Sequence, residues 1–324
     1  MPCVLRNRFV TGLCSIGLLV GAFMPSAAEA KPVVVGVVAP IGLFWPNFAA
    51  LKRGFFDKEN VQTDLIFVGE VAAEVQQVIG GSLDVAYTTC EVAVKAIDKG
   101  ADIRIVGETV RVYPYSIMSS PTVKTLADMK GKKVILAAQK DLLTAAWQHW
   151  VRDQGGNPKD IDEIYDGATP NRYSALANGA ASGALVSQPF DFRAKSEGYF
   201  ELLNYSAYLK DYAFVCAAAR TDWVKQNPDL AKAYFRAMSN ATAWLYDPAN
   251  KEDAISVLVE VSKQDRGLIT KTYDYYFNEI HPYSKGLAVE PGGMQKLLDT
   301  LKESHDIKPD MTYEKVTDTG YLPK

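Results

Sequence analysis

Val78-Ile79-Gly80-Gly81-Ser82-Leu83-Asp84-Val85-Ala86 and Leu176-Ala177-Asn178-Gly179-Ala180-Ala181-Ser182-Gly183-Ala184 are one short pattern written twice, 98 positions apart. In register, Gly81 meets Gly179, Asp84 meets Ser182 and Ala86 meets Ala184. Each copy reads as a helix end, a glycine able to take positive φ, and a short strand of small and apolar residues. After each strand the chain turns polar, as Thr88-Thr89-Cys90-Glu91 in one copy and Ser187-Gln188-Pro189 in the other. Ligands of open α/β sheets collect at strand carboxyl ends, so each copy is expected to present one lip of a site. Two such units imply two similar lobes facing each other, although ordinary αβ turns reuse glycine in the same way.

The flanking sequence extends this reading. Val33 to Ala39 is a continuous β-branched run, the composition of a strand buried on both faces. Strands over Val61 to Val68, Leu83 to Tyr87 and Ile103 to Thr109 alternate with helices over Val71 to Ile79 and Val92 to Lys99, a rhythm that builds a parallel sheet. Arg111 to Ser119 breaks it and is expected to be a strand leaving the first lobe. A second αβ series follows from Lys133 to Val186. Tyr212 to Arg220 is the expected return, antiparallel to the exit strand, so that two crossings form a hinge. From Thr221 the periodicity is helical, and Met311 to Lys324 reads as an irregular tail.

Composition and the N-terminus bound the function. Met1 to Ala30 carries Arg6 and Arg8, an apolar run from Phe9 to Phe23, and Ala28-Glu29-Ala30, the pattern of a cleaved export signal. The net charge is −3, and removing two arginines and one glutamate with this segment leaves about −4. No basic face invites nucleic acid. Cys90 and Cys216 would remain. One disulfide is open to them, although the context is not that of a stapled scaffold. Cys216, inside Phe214-Val215-Cys216-Ala217-Ala218-Ala219, reads as a core thiol. His149, His281 and His305 lack metal-ligand spacing.

At Gly54-Phe55-Phe56-Asp57, Gly80-Gly81-Ser82-Leu83-Asp84-Val85-Ala86, Leu126-Ala127-Asp128-Met129-Lys130-Gly131-Lys132-Lys133-Val134 and Ala175-Leu176-Ala177-Asn178-Gly179, the chain resembles the periplasmic solute-binding proteins of ABC importers for nitrate, sulfonates and taurine. That group includes receptors for thiamine-pyrimidine precursors. The resemblance spans roughly Val33 to Arg220. Ser182 departs from it by standing where an aspartate is usual. It implies a two-lobed periplasmic-binding-protein type II fold, each lobe a mostly parallel sheet flanked by helices, with two hinge strands. The expected division is 31–112 plus 218–324 for one lobe and 113–217 for the other. The implied role is capture of a small organic solute for an ABC permease of the inner membrane, as a periplasmic monomer. No cofactor, metal or nucleic acid is expected. The alternative is an enzyme on the same fold, of the pyrimidine-precursor synthase type, but its relatives carry a cysteine cluster that isolated Cys90 and Cys216 do not provide.

The residues expected at the cleft follow from the strand-end loops. Phe44 and Trp45 are adjacent aromatics in a glycine- and proline-bounded loop. Phe44 could pack under the sheet, whereas Trp45 is expected to stack on ligand. Glu70 could meet a ligand amine or sit on the rim. Thr88 and Thr89 precede free helix amides suited to an anion or to plain N-capping. Glu91 in that first turn reads as a solvent-facing dipole partner. Of Tyr113 and Tyr115, strand alternation allows one to face the cleft, and Tyr113 is chosen. Gln139, Lys140 and Gln188 are the expected polar contacts of the second lobe, and Tyr212 its far wall. Tyr273, Tyr275, Tyr276 and Phe277 lie at helical spacing and read as core or interlobe packing. The aromatic content of these loops favours an organic, ring-bearing solute over nitrate.

Overall fold

The strands sort into two sheets of the same plan. In the computed structural model, which describes residues 31–210 and 212–323, the first sheet has the order β2-β1-β3-β10-β4 and the second β7-β6-β8-β5-β9. The strands are β1 Val33–Val37, β2 Thr63–Phe67, β3 Val85–Thr89, β4 Ile103–Val110, β5 Tyr115–Ser119, β6 Lys133–Leu136, β7 Asp162–Tyr165, β8 Gly183–Ser187, β9 Phe200–Asn204 and β10 Val215–Arg220. In each sheet three parallel strands come first, and the fourth place belongs to an antiparallel strand: β10 beside β3, and β5 beside β8. The export signal expected over residues 1–30 lies outside the described residues.

The repeated pattern occupies equivalent places. Its two strands, β3 and β8, are the central strands of their sheets. Gly81 and Gly179 take φ of +79° and +74° in the turns before them, a conformation a side chain would strain. The Asp84 amide donates to the Val34 carbonyl and the Ser182 amide donates to the Lys133 carbonyl, both at 2.8 Å. Asp84 adds a carboxylate bond from the Val34 amide at 2.9 Å. The aspartate-to-serine difference thus leaves the shared backbone bond in place.

The structure differs from the sequence pattern in two places. The return strand β10 does not pair with the exit strand. It pairs antiparallel with β3 and β4, and all of it from Val215 onward lies in the first sheet, while β5 lies in the second. The residues between β4 and β5 form a turn, with the Tyr115 amide donating to the Tyr113 carbonyl at 2.8 Å. Cys216 is not a free thiol. It is bonded to Cys90 across 126 positions, joining β10 to the start of the helix after β3.

Five helices bear on the site: α1 Trp45–Lys52, α2 Val71–Ile79, α3 Cys90–Asp98, α4 Leu142–Asp153 and α5 Thr169–Ala177. Each except α1 begins within a few residues of a strand's carboxyl end, the end at which ligands of open α/β sheets collect. The helices Pro228–Tyr246 and Lys251–Ser262 then cover α1, and Arg266–Asp274 packs on the second of them and on the helix Phe190–Ser196. The C-terminal segment is less irregular than expected. Tyr313–Val316 is a helical turn, and Asp318 donates its amide to the Ile105 carbonyl at 2.9 Å on the outer edge of β4.

Candidate functional site: a cleft between the two sheets

Loops from both sheets converge on one cavity of about 100 Å³. The first sheet supplies Glu70 and Val71 after β2, Thr89 and Glu91 after β3, and Phe214 just before β10. The second supplies Tyr113 and Tyr115 on the way into β5, Ala137 to Leu143 in part after β6, and Gly167 after β7. A smaller chamber of about 30 Å³ shares Val71, Thr89, Tyr115, Gly167 and Phe214 with it and reaches inward to Phe44 and Thr88.

Three rings form the apolar wall. Tyr113 and Phe214 stand 4.0 Å apart by ring centroid, and Tyr115 meets Phe214 edge-on at 6.0 Å. The Tyr113 hydroxyl donates to the Ala213 carbonyl at 3.1 Å, so its polar end is satisfied by the protein and its ring face is left for the cavity. Burial pushes the Tyr113 hydroxyl well above the ordinary tyrosine range, so it stays neutral.

The charge of the wall is one-sided. Glu70, Glu91 and Asp141 line the cavity, and among the described residues no lysine, arginine or histidine does. Glu91 is only 6% exposed, and its carboxylate spans the gap. One oxygen accepts from the Leu142 amide at 2.8 Å and the other from Lys95 at 2.7 Å. Burial pushes Glu91 up, and the Lys95 charge and both hydrogen bonds oppose that rise. Asp141 caps α4, accepting from the Thr144 amide at 2.6 Å, and burial pushes it up as well. Arg172 on α5 is fully buried behind Tyr115. Its guanidinium donates to the carbonyls of Leu185 and Asp166 and to the Thr169 hydroxyl. Beyond the inner chamber, Glu74 on α2 has no exposed surface and lies against Thr88, and burial holds its carboxyl well above the usual range.

Gly167 brings the loop after β7 close to Glu70 across the gap. A Cβ there would stand 3.3 Å from a Glu70 carboxylate oxygen and 3.5 Å from the Glu70 Cα.

The structure brings together some of the sequence-derived candidates and separates others. Glu70, Thr89 and Tyr113 line the main cavity, and Phe44 and Thr88 line the inner chamber. Trp45 does not reach the cleft. It has no exposed surface, donates its indole N–H to the Ala254 carbonyl at 3.0 Å, and packs edge-on against Tyr273 and Phe277. The chain is already helical over Gly42–Phe44 and enters α1 at Trp45 itself, so the indole lies on the helix face covered by the C-terminal helices. Gln139 and Lys140 are exposed and line neither chamber. Gln188 is buried, accepting from the Tyr276 hydroxyl at 3.1 Å and donating to Asp191 at 2.7 Å. The bond from Tyr276 ties the end of the second sheet to the C-terminal helices, and Gln188 lines neither chamber. Tyr212 faces a separate groove on the opposite side of the crossings, under Lys296.

Tyr115, Phe214, Glu91 and Asp141 are cavity residues that sequence reasoning passed over. Alternation excluded Tyr115, but alternation holds only along a strand, and 111–114 is not one. Glu91 does not face solvent as a first-turn acid is expected to, because its partner, the Leu142 amide of α4, lies 51 residues away in sequence on the other side of the gap.

The fold is that of the periplasmic binding proteins. A ligand-binding component of an ABC-type import system from Staphylococcus aureus, solved with zinc bound, matches with a TM-score of 0.74 at 16% identity, over 90% of this chain and 98% of that one. The alkanesulfonate-binding protein SsuA of Xanthomonas axonopodis, bound to MOPS, matches with a TM-score of 0.72 at 15% identity, over 90% and 99%. The chain belongs to the NMT1/THI5-like family, whose pattern matches residues 43–251. The nitrate/nitrite binding protein NrtA of Nostoc sp. is 24% identical over 143 residues, 43% of this chain and 32% of that protein. The chain thus spans about a third of the length of this curated relative.

Proposed function

We propose that the chain is the solute-binding component of an ABC importer. It works outside the cytoplasm as a monomer and hands a small organic solute to a membrane permease. The role is binding rather than catalysis, in keeping with relatives named as binding proteins. The observation that carries the reading is the interlobe cavity, walled by Tyr113 and Tyr115 at the entry to β5 and by Phe214 before β10, with Glu70, Val71 and Thr89 of the first lobe facing them. Such a wall suits a ring-bearing or otherwise flat apolar body, and lobe closure supplies the rest of the contact area. The lobes are 31–112 with the segment from β10 onward, and the stretch from 113 to the residue before Val215. The Cys90–Cys216 bond suits an oxidising compartment, and no described helix is long and apolar enough to cross a membrane.

The test is a thermal-shift screen of residues 31–324 against sulfonates, aromatic acids, aromatic amines and pyrimidines. A solute present at 100 times its dissociation constant adds about 2.7 kcal/mol to stability. Tyr115→Ala is expected to abolish the shift for any solute that gives one. A shift that survives Tyr115→Ala and Phe214→Ala together would refute the site, and silence across the whole panel would refute the solute class.

A further inference from the structure

We propose that Glu91 is the charge-selectivity residue of the cleft: its carboxylate is a tethered anion seated on the N-terminus of α4, and it bars anionic solutes from the site. The inference rests on the reading of this cavity as the solute site. A helix N-terminus at a cleft carries free amides and a partial positive charge, which together attract an anion. Here the Leu142 amide already has one, the Glu91 carboxylate at 2.8 Å, delivered from the other side of the gap. The neighbouring cation is likewise engaged. Lys95 holds Glu91 at 2.7 Å and Asp306 at 3.0 Å. The next charges around the cavity are Glu70, which makes no ion pair among the described residues, and Asp141, which caps the same helix. Of the other cations nearby, Lys140 is exposed and lines neither chamber, and Arg172 lies behind the Tyr115 ring, bound to two carbonyls and a hydroxyl.

An incoming sulfonate or nitrate would therefore meet three carboxylates and no free donor cation. A neutral or cationic solute meets an unpaired carboxylate, Glu70, and three ring faces that also attract cations. The solute class assigned by this arrangement is a flat organic molecule carrying a neutral or protonated nitrogen and no acid group.

The arrangement also says how to reverse it. Removing the Glu91 carboxylate frees the Leu142 amide and turns one face of the Lys95 ammonium toward the vacated space, so an anion site is left behind. The experiment is calorimetric titration of wild type, Glu91→Ala and Glu91→Ala/Lys95→Met with sodium methanesulfonate and with benzylamine. Wild type is expected to give no methanesulfonate heat up to millimolar concentration. Glu91→Ala is expected to bind it at least tenfold more tightly than wild type, and the double variant to lose that gain. Glu91→Ser carries the same expectation if the alanine variant does not fold. Methanesulfonate binding by wild type as tight as by either variant would overturn the proposal, as would a folded variant with no gain. Benzylamine separates the two levels. Loss of the amine signal in Tyr115→Ala supports the cavity itself, so a failed anion gain beside it refutes only the role of Glu91.

Discussion

Removing the Cys90–Cys216 bond perturbs the fold at a place whose cost can be worked out from the chain. The bond closes a loop of 126 residues. In the chain-entropy treatment, closing a loop of that length removes about 5 kcal/mol of unfolded-state entropy at 25 °C. Both cysteines have no exposed surface, so the bond sits between β10 and α3 with packed neighbours on every side. The Cys90→Ala/Cys216→Ala variant is therefore expected to lose about 5 kcal/mol, and its midpoint of thermal unfolding is expected to fall by ~10 °C or more. The assay is urea unfolding of wild type and variant followed by tryptophan fluorescence, with wild type repeated in reductant. Reduced wild type and variant are expected to coincide. A difference under about 1 kcal/mol, or two titratable thiols in unreduced wild type, would refute the reasoning. The same bond spans the strand that returns to the first sheet, so its loss is also expected to loosen Phe214, two residues before Cys216 and part of the cavity wall.

Trp45→Ala is expected to destabilise the fold by about 3–5 kcal/mol, as loss of a buried aromatic does, while leaving the affinity for any bound solute unchanged in the folded fraction; isothermal titration checks it. Gly167→Val adds bulk against the Glu70 backbone, so it is expected to hold the sheets apart and weaken solute binding at least about tenfold in the same titration. Glu108 faces the groove behind the crossings, where its carboxylate accepts from the Glu290 amide at 3.1 Å, and burial pushes its pKa from 4.5 up to about 7. Between those two values the folded chain holds a proton that the unfolded chain releases. Stability from this group is thus full below pH 4.5 and is lost as pH rises toward 7, by about 3 kcal/mol. Glu108→Gln is expected to flatten that decline in denaturant titrations run across the window, and an unchanged slope would contradict it.

The sheets were legible in the sequence because burial on both faces leaves an unmistakable composition. Val33 to Val37 and the two glycine turns announce themselves, and Val71–Ile79 is the helix expected from its apolar face. What stayed hidden depends on distance. Cys216 sits in an apolar run whichever state its sulfur is in, and only the pairing of β10 with β3 brings it to Cys90. Trp45 is the same indole in a cleft or in a core, and the C-terminal helices that enclose it lie more than 200 residues on. Glu91 looks like any acidic residue in a first helical turn until the second sheet is set opposite. The strand-end loops were found, while the direction each side chain takes from them was set by partners that local pattern does not encode.

The central claim is that a solute is held between the sheets against Tyr115 and Phe214. A crystal structure of residues 31–324 with the best solute from the thermal screen tests it most directly. The account requires the solute between those rings, with its nitrogen toward Glu70 and no acid group near Glu91. A solute seated instead in the rear groove beside Tyr212 and Lys296, with the front cavity unchanged, would contradict it.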